Sequence, residues 1–446
     1  MKTYSKRIAF VISAQHLIPH GGIGQFCKGF TELAKDVGWC VDIILDKSPN
    51  DGPFVEYLST IAGKIIYSSS ALPYKNHQKT FAFSDSMNIE RMYNFRESMM
   101  LAFQENIYDM IVVNTPEAIV PIYGFGIQEY LPIVFYTHNE NMVFKDTNTF
   151  KGVFNDSFDE FFLKVVSADG IVLGTQCQRN VDEMVAQGIK NSVKLPMPLP
   201  ERDLRTRYDG EREGVLFIGR WEDRKNPKEY LRVIEETKLP ARVMTNETGA
   251  KNFERELTRI GVPFDIRIAI TGQEKCDFIK QSKVFYMPSK SECYSFAFFE
   301  THGHVPSVVI EDYKWYTNFD TSTFSVCKKA DVVDEIKRLY ASDARPDLSY
   351  ILDRDAETKQ CWIDFLDRFK PKQSNSNQSN FVKKDNLYYH DHIKSLGRFA
   401  SIEDVISVLA NRAKYQVVYT DTETWFSQNG DQPADKKRNS VELSFD

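Results

Sequence analysis

One pattern constrains this chain more than any other. Strand-length runs of apolar residues alternate with stretches of helical periodicity, and the whole series occurs twice. In the first series the runs are RIAFVISA (7–14), WCVDIIL (39–45), KIIYS (64–68), YDMIVVN (108–114), PIVFYTH (132–138) and GIVLGT (170–175). Helices are expected after the glycines at 21–24 and near 88–106, 156–166 and 177–187. Runs without polar alternation belong to strands buried on both faces. Interleaved with helices, such strands form a parallel sheet covered on both sides.

The second series has runs at 214–220, 241–246, 264–270, 283–289 and 306–312, with helices near 227–237, 251–260, 273–281, 295–303 and 331–341. Between the two lies KLPMPLPERDLRTRYDGEREG (194–214), rich in proline and then in charge, which suits an interdomain linker. A last amphipathic helix is expected over 355–369. PKQSNSNQSN (371–380) reads as a flexible linker. The tail beyond it has one helix-like run (401–413), one strand-like run (415–420) and a polar stretch (431–440) expected to be disordered. The expected division is therefore 1–205, 206–345, a crossover helix in 346–370, and an accessory tail in 371–446.

Composition narrows the class. At 446 residues with 42% hydrophobic content, the chain is too long for one ordinary domain and too apolar to be largely disordered. A net charge of −6 excludes nucleic-acid binding by bulk charge and leaves room for a locally basic cleft. Seven scattered cysteines without a CxxC pair fit reduced thiols in a cytoplasmic protein, the host's cytoplasm if the gene is a phage's. No apolar run is long enough to span a bilayer, so no membrane partner is expected.

In open α/β sheets, ligands bind beyond the carboxyl ends of the strands, so chemistry should follow strand ends. Three segments do. PHGGIGQF (19–26) follows the first run, and a glycine loop entering a helix brings backbone amides to an anion. The third glycine of a dinucleotide fingerprint is missing and no Gly-Lys-Ser/Thr occurs; a plain structural turn is the other reading. GRWEDRKNP (219–227) sets Arg220, Arg224 and Lys225 after the first strand of the second series. Such cations suit a diphosphate, and also suit an ordinary solvated face. MPSKSECYSFAFFETHGHVPSVVI (287–310) carries Glu292 in a loop, Ser295 at a helix N-cap and Glu300 on an otherwise apolar helix. A buried Glu300 needs a polar partner, either a ligand hydroxyl or a nearby lysine.

Together these segments resemble the Glu-x7-Glu signature of retaining glycosyltransferases of the GT-B fold, family four type, although Cys293 and Ser295 stand where that pattern has glycines and Thr301 where it has alanine. YDMIVVNTP, YTHNENMVF, ADGIVLGTQCQRN and FIGRWEDRKNP resemble further landmarks of the family, in its order, over about 7–345. The layout is also similar to the DNA α-glucosyltransferases of T-even phages, through GGIGQF, YTHNE and GRW. The resemblance implies two Rossmann-like doubly wound domains facing across a cleft, with a small C-terminal extension. It implies transfer of a sugar, with retention, from a nucleotide diphosphate such as UDP-glucose or UDP-arabinose. The implied acceptor is 5-hydroxymethylcytosine in duplex DNA. A polysaccharide or lipopolysaccharide glycosyltransferase and a nucleotide-sugar 2-epimerase are the alternatives.

The same resemblance assigns roles. Glu300 would hold the ribose hydroxyls and Glu292 the donor sugar. Arg220 and Lys225 would neutralise the diphosphate, and Gly22 and Gly24 would let the first loop close over it. Ser295 and Phe296 would line the donor pocket, and His138 would lie near the sugar and acceptor. No cofactor beyond the nucleotide sugar is implied, and no metal. His302-x-His304, His390-x-His392 and Asp353-Arg-Asp355 lack the further ligands of a metal site, and the last reads as surface charge.

Overall fold

The computed structural model describes residues 4–19, 21–69, 71, 87–124, 127–129, 131–138, 166–186, 188–292, 295–342, 344–368, 415–418 and 442–445. They fall into two compact units. One comprises 1–17, 31–195 and 362–446; the other comprises 18–30 and 196–361.

In the first unit, β1 (Lys6–Ile12), β2 (Trp39–Leu45), β3 (Lys64–Ile66), β4 (Met110–Val113), β5 (Ile133–Tyr136), β6 (Ile171–Thr175) and β7 (Ser192–Lys194) form one parallel sheet in the order 3-2-1-4-5-6-7. Every residue of β2, β4 and β5 is buried, which is why those runs carry no polar alternation. The register sets Phe10 of β1 between Ile43 and Val112. The connecting helices include α1 (Gly22–Asp36), whose residues up to 30 are grouped with the second unit, α2 (Pro53–Ile61), α3 (Met87–Glu105), α4 (Pro116–Gly124) and α5 (Gln178–Ala186). Gly170 opens β6 with φ +86°, and a Cβ there would fall inside contact distance of the Gln128 carbonyl oxygen. Only glycine meets both conditions. Trp362 is fully buried and stacks on Tyr136, centroids 6.2 Å apart.

The second unit repeats the plan. Its sheet holds β8 (Glu213–Ile218), β9 (Ala241–Thr245), β10 (Phe264–Ile268), β11 (Ser282–Met287), β12 (Ser307–Ile310) and β13 (Ser325–Cys327), in the order 10-9-8-11-12-13. Successive residues point to opposite faces. Val215, Phe217, Tyr286 and Val308 pack on one side with α6 (Pro227–Thr237), α7 (Glu247–Ile260) and α10 (Val332–Ala341). Leu216, Phe285, Met287 and Val309 pack on the other with α8 (Gly272–Lys280) and α9 (Phe296–His302). Each such buried side chain stabilises the fold by about 1.5–3 kcal/mol. Among the described residues the last helix is α11 (Ser349–Arg368), of which residues to 361 belong to this unit; it starts six residues earlier than its periodicity suggests. Asn246 caps α7, its side chain accepting from Gly249 N at 2.9 Å, so that helix too begins before the expected 251.

The short strands β7 and β13 and helix α2 were not legible in the sequence: both strands are three residues long and half-buried. In the tail, β14 (Tyr415–Val418) pairs antiparallel with β15 (Glu442–Phe445). The expected elements at 371–380, 401–413 and 431–440, nearly all of 156–166, and the His390-x-His392 pair lie outside the described residues. No helix among the described residues is long and apolar enough to cross a membrane.

Candidate functional site

In both sheets the strand order reverses beside the first strand, at β1/β4 and at β8/β11. The crevice outside the carboxyl ends of such a pair is where ligands bind in this architecture. In the second unit, β8 and β11 are hydrogen-bonded neighbours, with Phe285 opposite Leu216. The loop after β8 therefore meets the loop after β11.

That meeting is tightly built. Asn226 adopts the left-handed conformation (φ 54°) and donates from Nδ2 to the Pro288 carbonyl (3.2 Å) and the Tyr313 hydroxyl (3.3 Å). Lys290 N donates to the Arg224 carbonyl at 2.8 Å, and Trp315 Nε1 to the Ser289 carbonyl at 2.7 Å. The clamp carries Glu292 into the protein, where it is 6% exposed. Lys225 Nζ lies 2.5 Å from its Oε1, and Arg224 lies 3.3 Å from its Oε2. A buried carboxylate without such partners would be strongly destabilising. Arg224 also meets Glu222 at 3.2 Å, so the two cations are shared between a buried and a half-buried carboxylate. Arg220 lies further out: its side chain is 62% exposed against 43% for Arg224, and it meets Glu222 but not Glu292.

Glu300 enters on α9. Ser295 caps this helix, its hydroxyl accepting from Phe298 N at 3.2 Å, while Phe298 and Phe299 are buried in the core. Phe296, at the first position, is half-buried. Glu300 is 2% exposed, and its Oε1 lies 2.6 Å from Lys275 Nζ on α8. The partner it needs is thus a lysine in this structure. Close by, Lys28 Nζ meets Glu201 Oε2 at 2.6 Å, and Glu201 Oε1 accepts from Gly272 N at 3.3 Å. Burial pushes the Glu300 carboxyl above the ordinary glutamate value, with Lys275 pulling the other way. Burial also acts to lower the Lys275 ammonium, but Glu300 and Glu201 outweigh it and the net direction is upward.

Gly22 and Gly24 lie within the first turn of α1, not in a loop before it, and neither takes a positive φ. The expected glycine loop is therefore corrected to a helix start. The reason is geometric: Gln25 N already bonds the Gly21 carbonyl at 2.9 Å. Gly29, a turn later, is where packing requires glycine. A Cβ there would sit 2.8 Å from the Pro198 carbonyl oxygen.

In the first unit His138 follows β5 and sits 2.8 Å from Asn114, Nε2 to Oδ1. Asn114 Nδ2 donates to the Val11 carbonyl at 3.2 Å, so its Oδ1 must accept and His138 carries its proton on Nε2. Burial, aided by nearby His16, pushes the His138 imidazole down to about 3 and keeps it neutral. At the same strand ends, Asp46 accepts from Ala14 N (2.8 Å) and Ser13 Oγ (2.9 Å) and pairs with Arg91 at 3.4 Å. Arg91 also pairs with Glu117 at 2.7 Å. All three charged groups are buried. This network was not expected from the sequence; the position of Asp46, directly after its strand, is the signal that could have found it.

Packing accounts for His302 and His304 and corrects the reading of Asp355. His302 stacks on Phe298, centroids 5.2 Å apart, and His304 contacts the Leu204 carbonyl at 2.7 Å. Asp353 is exposed, but Asp355 is not the surface charge expected of it: it is 6% exposed and pairs with Arg205 (3.0 Å) and Lys359 (3.3 Å). Among the described residues, no three His, Cys, Asp or Glu side chains converge as a metal-ligand set. Cys293 lies outside the described residues.

No protein-family model matches the chain, and no curated protein matches it. Solved structures do. Sucrose-phosphate synthase from Thermosynechococcus elongatus superimposes with a TM-score of 0.54 at 14% identity, over 87% of this chain and all of that one. Anabaena HepE, solved with UDP and glucose, gives 0.54 at 12% identity over 86% of this chain and all of that one. TarM gives 0.55 at 9% identity, over 85% of this chain and 99% of that one. The shared fold is that of GT-B proteins, two Rossmann-like α/β units, here with parallel sheets of seven and six strands.

Proposed function

We propose that the chain is a glycosyltransferase that moves a sugar, with retention, from a uridine diphosphate donor to an acceptor hydroxyl. One observation carries this reading: Arg224, Lys225 and Glu292 meet beyond the carboxyl ends of β8 and β11, at the point where strand order reverses. An arginine fork and a lysine gathered there suit a diphosphate. Its cations would neutralise the charge that develops as the phosphate leaves. HepE, of the same fold, was solved with UDP and glucose, which supports the choice of donor.

In this reading Glu300 takes the ribose hydroxyls and Glu292 the sugar, while Glu292 also holds Arg224 and Lys225 in place. Arg220 reaches the phosphates from its exposed position. Ser295 and Phe296 line the donor pocket, and Gly22 and Gly24 present the amides of the α1 first turn to phosphate. His138 serves the acceptor side as a neutral imidazole. The sequence supplies no obvious carboxylate nucleophile for a covalent route, so the departing phosphate oxygen takes the acceptor's proton as the new glycosidic bond forms on the same face.

The acceptor we propose is 5-hydroxymethylcytosine in duplex DNA, supported by the segments GGIGQF, YTHNE and GRW. Contact with a base would require reading in the major groove or a flipped nucleotide. A saccharide acceptor is the second reading, favoured by a neighbour of the same fold that is a lipopolysaccharide outer core galactosyltransferase (TM-score 0.50, 9% identity). The test is to incubate the protein with several UDP-sugars and either hydroxymethylated DNA or a panel of saccharides, then weigh the products. A hexose or pentose mass added to hydroxymethylcytidine is expected. Mass added only to a saccharide would overturn the DNA acceptor, and conversion of the donor to its 2-epimer would overturn transfer itself.

A further inference from the structure

Four charged side chains, each more than nine-tenths buried, stand together in the second unit: Lys28, Glu201, Lys275 and Glu300. They form two short ion pairs, Lys28–Glu201 and Lys275–Glu300, both at 2.6 Å. Glu201 is saturated, because its other oxygen accepts from Gly272 N. Glu300 is not. Lys275 occupies Oε1, and Oε2 has no hydrogen bond among the described residues. Oε2 is not among the fully enclosed atoms without a partner, so a further donor from solution can reach it.

We propose that Lys275 is a positioning residue for the nucleotide: it fixes Glu300 through Oε1 and presents Oε2 to the ribose hydroxyls. The inference rests on the nucleotide-binding reading above and adds a residue to it. Two hydroxyls donating to one carboxylate need that group ionised and held in one orientation. The ammonium does both. It lowers the cost of charge at Glu300, and it locks the carboxyl rotation that a lone buried glutamate would leave free. Lys28 acts in the same direction more weakly, while Glu201 opposes it. The Cys276 thiol is a further titratable neighbour, itself influenced by Asp203. Burial, then Glu201 and Glu300, push it up to about 12, so it stays neutral.

The experiment is calorimetric titration of UDP into the full chain between pH 5.5 and 8.5. Wild type, Glu300→Ala, Lys275→Met and Lys275→Arg are compared, with melting curves to confirm folding. Wild type should bind and Glu300→Ala should not. Lys275→Met should bind about tenfold more weakly near pH 6, with most of the loss recovered toward pH 8.5 as the bare carboxyl ionises. Lys275→Arg keeps the charge and should restore the wild-type profile. A lysine that only braced the fold would lower the melting temperature without tilting the pH profile. Wild type that binds no nucleoside diphosphate would remove the underlying reading together with this inference. Binding that requires Glu300 but is unchanged in affinity and pH dependence by Lys275→Met would overturn the inference alone. Should Lys275→Met fail to fold, Lys275→Gln carries the same comparison.

Discussion

Lys225 and Glu292 lie 67 residues apart in the chain, yet the lysine Nζ sits 2.5 Å from Oε1 of the glutamate. The contact exists because β8 and β11 are neighbours in the sheet, so the loops that follow them end at one place. Arg224 completes the group on the other carboxylate oxygen. Arg220, four residues earlier and equally basic, shares Glu222 with Arg224 but does not reach Glu292.

That difference gives a direct comparison. Arg224→Ala should weaken UDP binding by about tenfold or more, because Arg224, unlike Arg220, pairs with the buried Glu292. Arg220→Ala should change it by about threefold or less, because exposed charges contribute little. Titration calorimetry on both variants decides it; a larger loss for Arg220 would mean that the diphosphate lies further out than Glu292.

Glu201→Gln should destabilise the protein more than its distance from any strand core suggests. It leaves Lys28 buried without its counter-charge, at a cost of about 3–5 kcal/mol. The double variant Lys28→Met/Glu201→Leu removes both charges and should recover most of that loss. Urea unfolding of the three proteins is the check. A single variant within about 1 kcal/mol of wild type would show that the pair is solvated.

His302 and His304 make stability depend on pH in a known direction. Burial pushes both imidazoles down to about 4, from an ordinary value of 6.5. Between those values the unfolded chain takes up protons that the folded chain refuses, so stability falls as pH drops through that window. Each histidine contributes a slope of up to about 1.4 kcal/mol per pH unit. Urea midpoints from pH 4.5 to 7 should show it, and His304→Gln should reduce the slope by about one proton. An unaltered slope would mean that His304 is already protonated in the folded state.

Gly170→Ala should be among the most damaging small substitutions in the first unit. The position combines φ +86° with direct contact to the Gln128 backbone. Positive φ alone costs an alanine about 1–2 kcal/mol, and a clash with backbone cannot be relieved by a rotamer change. A melting temperature within a degree or two of wild type would show that the turn before β6 can move.

By itself, the sequence determined the repeated strand–helix alternation, hence two covered parallel sheets, because residues buried on both faces must be apolar without interruption. It also placed Ser295 at a helix cap and Glu292 and Glu300 on either side of it, since capping and helical phase are local properties. Tertiary structure alone decided the partners. Lys275 and Glu300 are 25 residues apart, and Lys28 and Glu201 are 173. No local pattern marks such pairs, because which charges meet depends on which strands are neighbours. Asp355 is hidden by the same logic: Arg205, 150 residues away, turns a carboxylate that reads as surface into a buried ion pair. Gly22 and Gly24 show the reverse case. Their spacing suggested a loop, but nothing in that spacing excludes a helix, and the hydrogen bond from Gln25 to Gly21 starts one.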